Sequence, residues 1–227
     1  MGGINLPLAQ LRQDIALLKE LGANFVRGAH YSQDQRWLDL CDEHGILVWE
    51  ETLGWQPRLE HLTDELFMAQ QLTALDETLK ASANHPSVIM WGFLNEGEAD
   101  SSEARAAYKV LADSARALDA SRLISWASRD KIRDVTLDLV DIISFNDYPG
   151  WYDASVGEIP AVWRGSGEWA ASRHPGKPVL MAEAGAGGIA GFRSQELAMW
   201  SEELQAAIVK ASIVAAHAAG FAGVALW

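Results

Sequence analysis

His85-Pro86-Ser87-Val88-Ile89-Met90-Trp91-Gly92-Phe93-Leu94-Asn95-Glu96 decides the fold. Pro86 ends the helical pattern that comes before it. Ser87 to Leu94 is an almost uninterrupted apolar run, too short for a buried helix, and it stops on two polar residues. A strand with no polar alternation is covered on both faces, as in a parallel sheet under helices. The same unit recurs on either side. Upstream, Asn24 to Arg27 and Ile46 to Trp49 read as short strands; downstream, so do Leu123 to Trp126, Leu139 to Phe145, Pro178 to Met181 and Gly223 to Trp227. Between them lie amphipathic patterns at Pro7–Leu21, Asp34–His44 (closed by Gly45), Thr63–Ala83, Ser101–Leu118 and Ser194–Ala219. Strand and helix in alternation predict an α/β protein with a parallel sheet. Seven steps without a glycine-rich phosphate loop favour a (β/α)8 TIM-type barrel over a doubly wound sheet.

Composition sets outer bounds on function. The chain has 227 residues, 18 basic against 31 acidic, and a formal charge of −13. That balance argues against a nucleic-acid partner and against docking on anionic membranes. Cys41 is the single cysteine, which leaves no disulfide framework. His44, before Gly45, reads as a cation at a helix C-terminus; His61, His174 and His217 show no ligand-like spacing, so neither a metal nor a cofactor is expected. No segment reads as an export signal or a membrane span, and the expected location is the cytoplasm. One domain covering 1–227 is expected, lacking a first strand because Met1-Gly2-Gly3-Ile4-Asn5 is short and glycine-rich, and ending at the last strand.

Strand ends are where such a barrel keeps its chemistry. Reading each strand to its end gives Arg27 and His30, Glu50 and Glu51, Asn95 and Glu96, Asn146 and Tyr148, Glu183, and Trp227. Two carboxylates among hydrogen-bonding and aromatic side chains suit glycoside hydrolysis, where one protonates the leaving group and the other meets the oxocarbenium-like carbon.

Two stretches resemble the signatures of glycoside hydrolase family 2. They are His85 to Trp91 followed by Asn95-Glu96, and Gly22-Ala23-Asn24-Phe25-Val26-Arg27 continuing to His30-Tyr31. Asp14 and Lys19 fall in the family's usual places. Asp141 to Tyr148 with Gly150-Trp151-Tyr152 is similar to the β-glucuronidase branch, as is Ala182-Glu183-Ala184-Gly185-Ala186 with Ile189 to Phe192. The resemblance implies a retaining exo-β-glycosidase acting on a β-glucuronide or β-galactoside. It gives Glu96 the acid/base role and Glu183 the nucleophile's, with Asn95 on the sugar 2-hydroxyl. Arg27 and Tyr148 would hold Glu183, His30 would line the subsite, and Trp227 would form its floor. Glu50 or Glu51 would add a hydroxyl contact; Asn146 and Trp151 complete the expected set, with Trp55 as a further stacking candidate. Ala29, Ser32 and Ala184 depart from the family's pattern. In glucuronidases an Asn and a Lys beyond the last strand read the sugar carboxylate; Trp227 is the last residue of this sequence.

Two other readings stand beside this one. A truncated or degenerate barrel would bind carbohydrate or a partner chain with little turnover, and its exposed edges at Asn24–Arg27 and Gly223–Trp227 would permit a homo-oligomer. A family 5-like β-glucanase shares the residue types but lacks the long signatures. For the remaining residues, Glu98 and Asp100 read as loop or cap residues, Ser101 or Ser102 as a helix cap, and Cys41 as a buried apolar group.

Overall fold

The computed structural model describes residues 6–227. The segment Met1 to Asn5, on which the missing first strand was argued, lies outside them. The chain forms two compact units, one running to Ser125 and the other from Trp126 to Trp227.

The first unit is a four-stranded parallel sheet in the order β1 (Phe25–Gly28), β2 (Leu47–Glu51), β3 (Val88–Gly92), β4 (Leu123–Ser125). Helices α1 (Leu8–Glu20), α2 (Gln35–His44), α3 (Leu59–Leu62), α4 (Glu65–Ser82) and α5 (Ser102–Leu118) connect and cover the strands. Side chains at the helix ends satisfy the amide groups that no intrahelical carbonyl reaches. Asp34 accepts from Arg36 N, Asp64 from Phe67 N and Ser101 from Ala104 N. Gly45 closes α2 at φ +68°, the left-handed cap expected of it. Cys41 is fully buried in α2, as its reading as an apolar group requires, and its thiol is pushed up to about 12 by burial and then by Asp42.

The core of this unit includes the fully buried Ile15, Leu38, Trp49, Leu75 and Trp91. Gly92 makes room for one of them: a Cβ there would sit 2.2 Å from the Trp49 indole nitrogen. Trp91 donates from Nε1 to Asp119 at 3.0 Å and lies under the Arg122 guanidinium, 5.2 Å from its ring centre. At the rear, His85 lies 2.7 Å from Asp42 through Nδ1 and 3.1 Å from Gln35 through Nε2.

The second unit repeats the plan with β5 (Ala127–Ser128), β6 (Ile143–Asn146), β7 (Val179–Ala184) and β8 (Gly223–Leu226), parallel and in that order. Helices α6 (Ile159–Arg173) and α7 (Glu202–Ala218) supply its cover. Its buried centre includes Trp126, Phe145, Trp163, Met181 and Ile208.

Three elements differ from the expectation. Leu123 to Trp126 forms a strand to within one residue, as β4 paired with β3, but the short β5 that follows and pairs with β6 was not expected. The pattern from Ser194 does not start a helix. Leu197 and Trp200 take left-handed φ of 55° and 71°, and α7 starts at Glu202 behind the Ser201 cap. Helix α6 has no counterpart in the sequence reading. Gly165 and Gly167 weaken its pattern, although Pro160 in the first turn is a start signal.

Candidate active site

In the first unit the strand ends converge on Arg27. β1 and β2 are in register, Arg27 opposite Trp49 and Gly28 opposite Glu50, so the guanidinium reaches the end of the neighbouring strand. Its Nε donates to Glu51 Oε1 at 2.6 Å and its Nη2 to Asn95 Oδ1 at 2.7 Å. The side chains of Arg27 and Glu51 are 3% and 2% exposed, which makes this a buried, hydrogen-bonded ion pair. The face of Trp49 lies 4.9 Å from the guanidinium carbon. Asn95 is thereby fixed with its carboxamide oxygen toward Arg27 and its NH2 as the donor side. His30 Nδ1 lies 3.3 Å from Glu51 Oε2 and 3.4 Å from Arg27 Nη2, joining the same cluster.

Glu50 and Glu51 take opposite faces of β2, as neighbours in a strand must. Glu51 is the counter-ion of Arg27. Glu50 points into the layer between sheet and helix, where its Oε1 accepts from Ser82 Oγ of α4 at 3.1 Å and from Gln33 N at 3.2 Å. Of the two glutamates expected to offer a sugar-hydroxyl contact, Glu51 lies in the Arg27 cluster and Glu50 faces this layer. Its carboxyl is completely buried, and burial raises its pKa against the opposing pull of Ser82 and Gln33.

Glu96 lies just past β3 in a left-handed conformation, φ 52°, with Leu94 also left-handed at 54°. Such backbone costs a non-glycine residue about 1–2 kcal/mol, and it persists where surrounding structure enforces it. Glu96 Oε2 accepts from Gln56 Nε2 at 2.7 Å. Gln56 was absent from the sequence expectations. Glu98 takes the loop role expected of it, accepting from Leu59 N at 2.6 Å, and Ser101 rather than Ser102 caps α5.

In the second unit, Asn146 and Glu183 are register partners on β6 and β7. The Tyr148 hydroxyl donates to Glu183 Oε2 at 2.5 Å, and Asp147 N donates to the Glu183 carbonyl at 3.0 Å. Glu183 and Asn146 are each 5% exposed. An aromatic group surrounds Tyr148. Tyr152 meets it edge-on at 5.4 Å, Trp151 meets Tyr152 at 6.5 Å, and Trp200 stands perpendicular to Trp151 at 4.9 Å. Tyr152 and Trp200 extend the set that the sequence named. Trp200 was hidden by the helix wrongly assigned from Ser194.

Trp227 is fixed through backbone. Its N–H donates to Ala184 O at 2.9 Å, and a Cβ on Gly185 would sit 2.1 Å from its carbonyl oxygen. Only glycine at 185 allows the two chains so close. Gly187 does the same for Trp200, whose ring would meet a Cβ at 2.5 Å. These glycines serve close packing beside Glu183.

Among the described residues, the one group with metal-like spacing is Asp39, Asp42 and His85. His85 is already committed to Asp42 and Gln35. Burial disfavours the Asp42 carboxylate, but the Ser87 and His85 hydrogen bonds outweigh it and hold its pKa below the usual value. No helix among the described residues is long and apolar enough to cross a membrane.

The chain is 31% identical to β-glucuronidase of Rattus norvegicus over 210 residues, 92% of this chain and 32% of the relative. It is 33% identical to β-glucuronidase of Paenibacillus borealis over 208 residues, 85% and 34% of the respective lengths. It spans about a third of these relatives. Among solved structures, a GH2 β-galacturonidase from Eisenbergiella tayi bound to galacturonate matches with TM-score 0.93 and 36% identity, over 98% of this chain and 40% of that one. The β-D-glucuronidase of Dictyoglomus thermophilum matches with TM-score 0.92 and 27% identity, over 98% and 41%. The model for glycosyl hydrolases family 2, TIM barrel domain, matches residues 2–219, and the chain belongs to that family.

Proposed function

We propose that this chain is a single glycosidase barrel domain that hydrolyses terminal β-linked sugars with retention, β-glucuronides first among them. The observation that carries the reading is the 2.5 Å hydrogen bond from Tyr148 to Glu183 Oε2. It holds one oxygen of a buried carboxylate at the end of β7, which supports Glu183 as the nucleophile. The family membership and the β-glucuronidase and β-galacturonidase relatives support the substrate class.

In the first step the Glu183 carboxylate bonds to the anomeric carbon while the glycosidic C–O bond breaks. Glu96 gives its proton to the departing oxygen. In the second step water attacks the same carbon, Glu96 takes a proton from it, and the bond to Glu183 breaks. The sequence of events requires the two carboxyls about 5–5.5 Å apart. Asn95, its oxygen held by Arg27, directs N–H toward the sugar 2-hydroxyl, and Trp227 supplies an apolar face.

The test is turnover of p-nitrophenyl β-glucuronide, β-galacturonide, β-galactoside and β-glucoside, followed by mass mapping of the adduct left by a 2-fluoro-glycoside. Expected are cleavage of a uronide and an adduct on Glu183. Turnover that survives Glu183→Ala, an adduct elsewhere, or no cleavage by a folded sample overturns the reading.

A further inference from the structure

We propose that Gln56 is a positioning residue for Glu96, holding one oxygen of its carboxyl while that carboxyl gives its proton to the leaving group. This rests on the acid/base role given to Glu96 above. Beyond the ends of β2 and β3 the two chains stay zipped together. Thr52 N donates to Gly92 O at 2.9 Å, Gln56 N to Asn95 O at 2.7 Å, and Glu98 N to Pro57 O at 2.9 Å. Leu59 N closes the run on the Glu98 carboxylate at 2.6 Å.

Glycines permit this approach from both sides. A Cβ on Gly54 would lie 3.2 Å from Leu94 backbone; one on Gly97 would lie 2.5 Å from the Tyr108 hydroxyl and 2.9 Å from the Pro57 ring. Around the contact, Gln56, Leu94 and Glu96 are all left-handed, at φ 49°, 54° and 52°. Three non-glycine residues in that region within one clasp mark a geometry that the surrounding structure enforces. Its result is the 2.7 Å hydrogen bond from Gln56 Nε2 to Glu96 Oε2.

An oxygen that accepts from an amide is the poorer seat for the carboxyl proton. With Oε2 held as the acceptor, the Glu96 carboxyl passes its proton to the glycosidic oxygen as the C–O bond breaks and recovers one from water in the second step. Gln56 acts by holding Glu96.

The test substitutes Gln56→Met, which keeps length and removes the amide. The intact chain is assayed on an alkyl and a 2,4-dinitrophenyl glycoside of the same sugar. The alkyl substrate depends on proton donation, worth about 10²–10⁴-fold in such sites, so the variant loses about tenfold in kcat/KM there and much less on the dinitrophenyl substrate. Equal losses on both substrates, or no loss on either, overturn the proposal. A second arm needs no turnover. The Gln56 side-chain amide is followed by nitrogen-15 NMR across pH, and its shift tracks a carboxyl titration that vanishes in Glu96→Gln. An amide shift indifferent to Glu96 refutes the positioning role even in an active enzyme. A responsive amide in a chain with no turnover instead refutes the catalytic reading on which it rests.

Discussion

Replacing Arg27 by Met tests how the strand ends of the first unit are held together. The guanidinium is the shared donor for Glu51 and Asn95, and both partners of the Arg27–Glu51 pair are almost entirely buried. Removing one member of a buried pair leaves the other charge buried without its counter-ion, at about 3–5 kcal/mol. With a urea m-value of about 3 kcal/mol/M, the top of the usual range and apt for a chain of this length, the unfolding midpoint falls by about 1–1.7 M. Glu51→Gln keeps an acceptor for Arg27 Nε and deletes the counter-charge, and costs about 2–3 kcal/mol as a lost charge-assisted bond and a stranded cation. The double variant Arg27→Met with Glu51→Gln leaves no buried charge at this pair. It is therefore less harmed than the sum of the singles by about 2 kcal/mol. Urea titrations of wild type, both singles and the double, followed by circular dichroism, complete the cycle. Costs that add to within about 0.5 kcal/mol would mean that the pair is not coupled and that the cluster is not built around Arg27.

Gly185→Ala forces a methyl to 2.1 Å from the Trp227 carbonyl oxygen and costs about 3 kcal/mol, while Gly191→Ala, left-handed with open space, costs about 1 kcal/mol. Equal urea midpoints for these two variants would contradict the packing argument. Burial raises the Glu50 pKa above its ordinary 4.5, so the native state holds an extra proton just above that value and loses stability as pH climbs through the window. Glu50→Gln consequently melts higher than wild type at pH 7 and gains nothing at pH 4; a gain of equal size at both pH values would refute the assignment. Cys41, buried with its thiol pushed up to about 12, resists iodoacetamide at pH 8 until the chain unfolds. Labelling as fast as that of a free thiol would show that α2 opens locally.

Much of this protein is legible in its sequence because the signals are local. Apolar runs the length of a strand, helical stripes, and the helix-end signals at Gly45 and Ser101 each depend on a few neighbouring residues, and they located most elements. The polar residues closing successive strands were found the same way, since a barrel's chemistry sits at strand ends. Where local signals conflict, the reading failed. Gly165 and Gly167 obscured α6, and apolar residues between Ser194 and Trp200 imitated a helix whose true start is marked by Ser201 and the acidic Glu202 and Glu203.

Tertiary structure decided whatever depends on register or on chain segments far apart. Glu50 and Glu51 are indistinguishable by type and adjacent in sequence; only the pairing of β2 with its neighbours sends one to Ser82 and the other to Arg27. Gln56 meets Glu96, a residue forty positions away, because two loops continue the ladder of their strands. The room that Gly92 leaves for Trp49, and Gly185 for Trp227, is likewise a property of two backbones brought together. Propensity and periodicity fix what a segment becomes, while contact between segments follows from how side chains of given size fit once the sheet is formed.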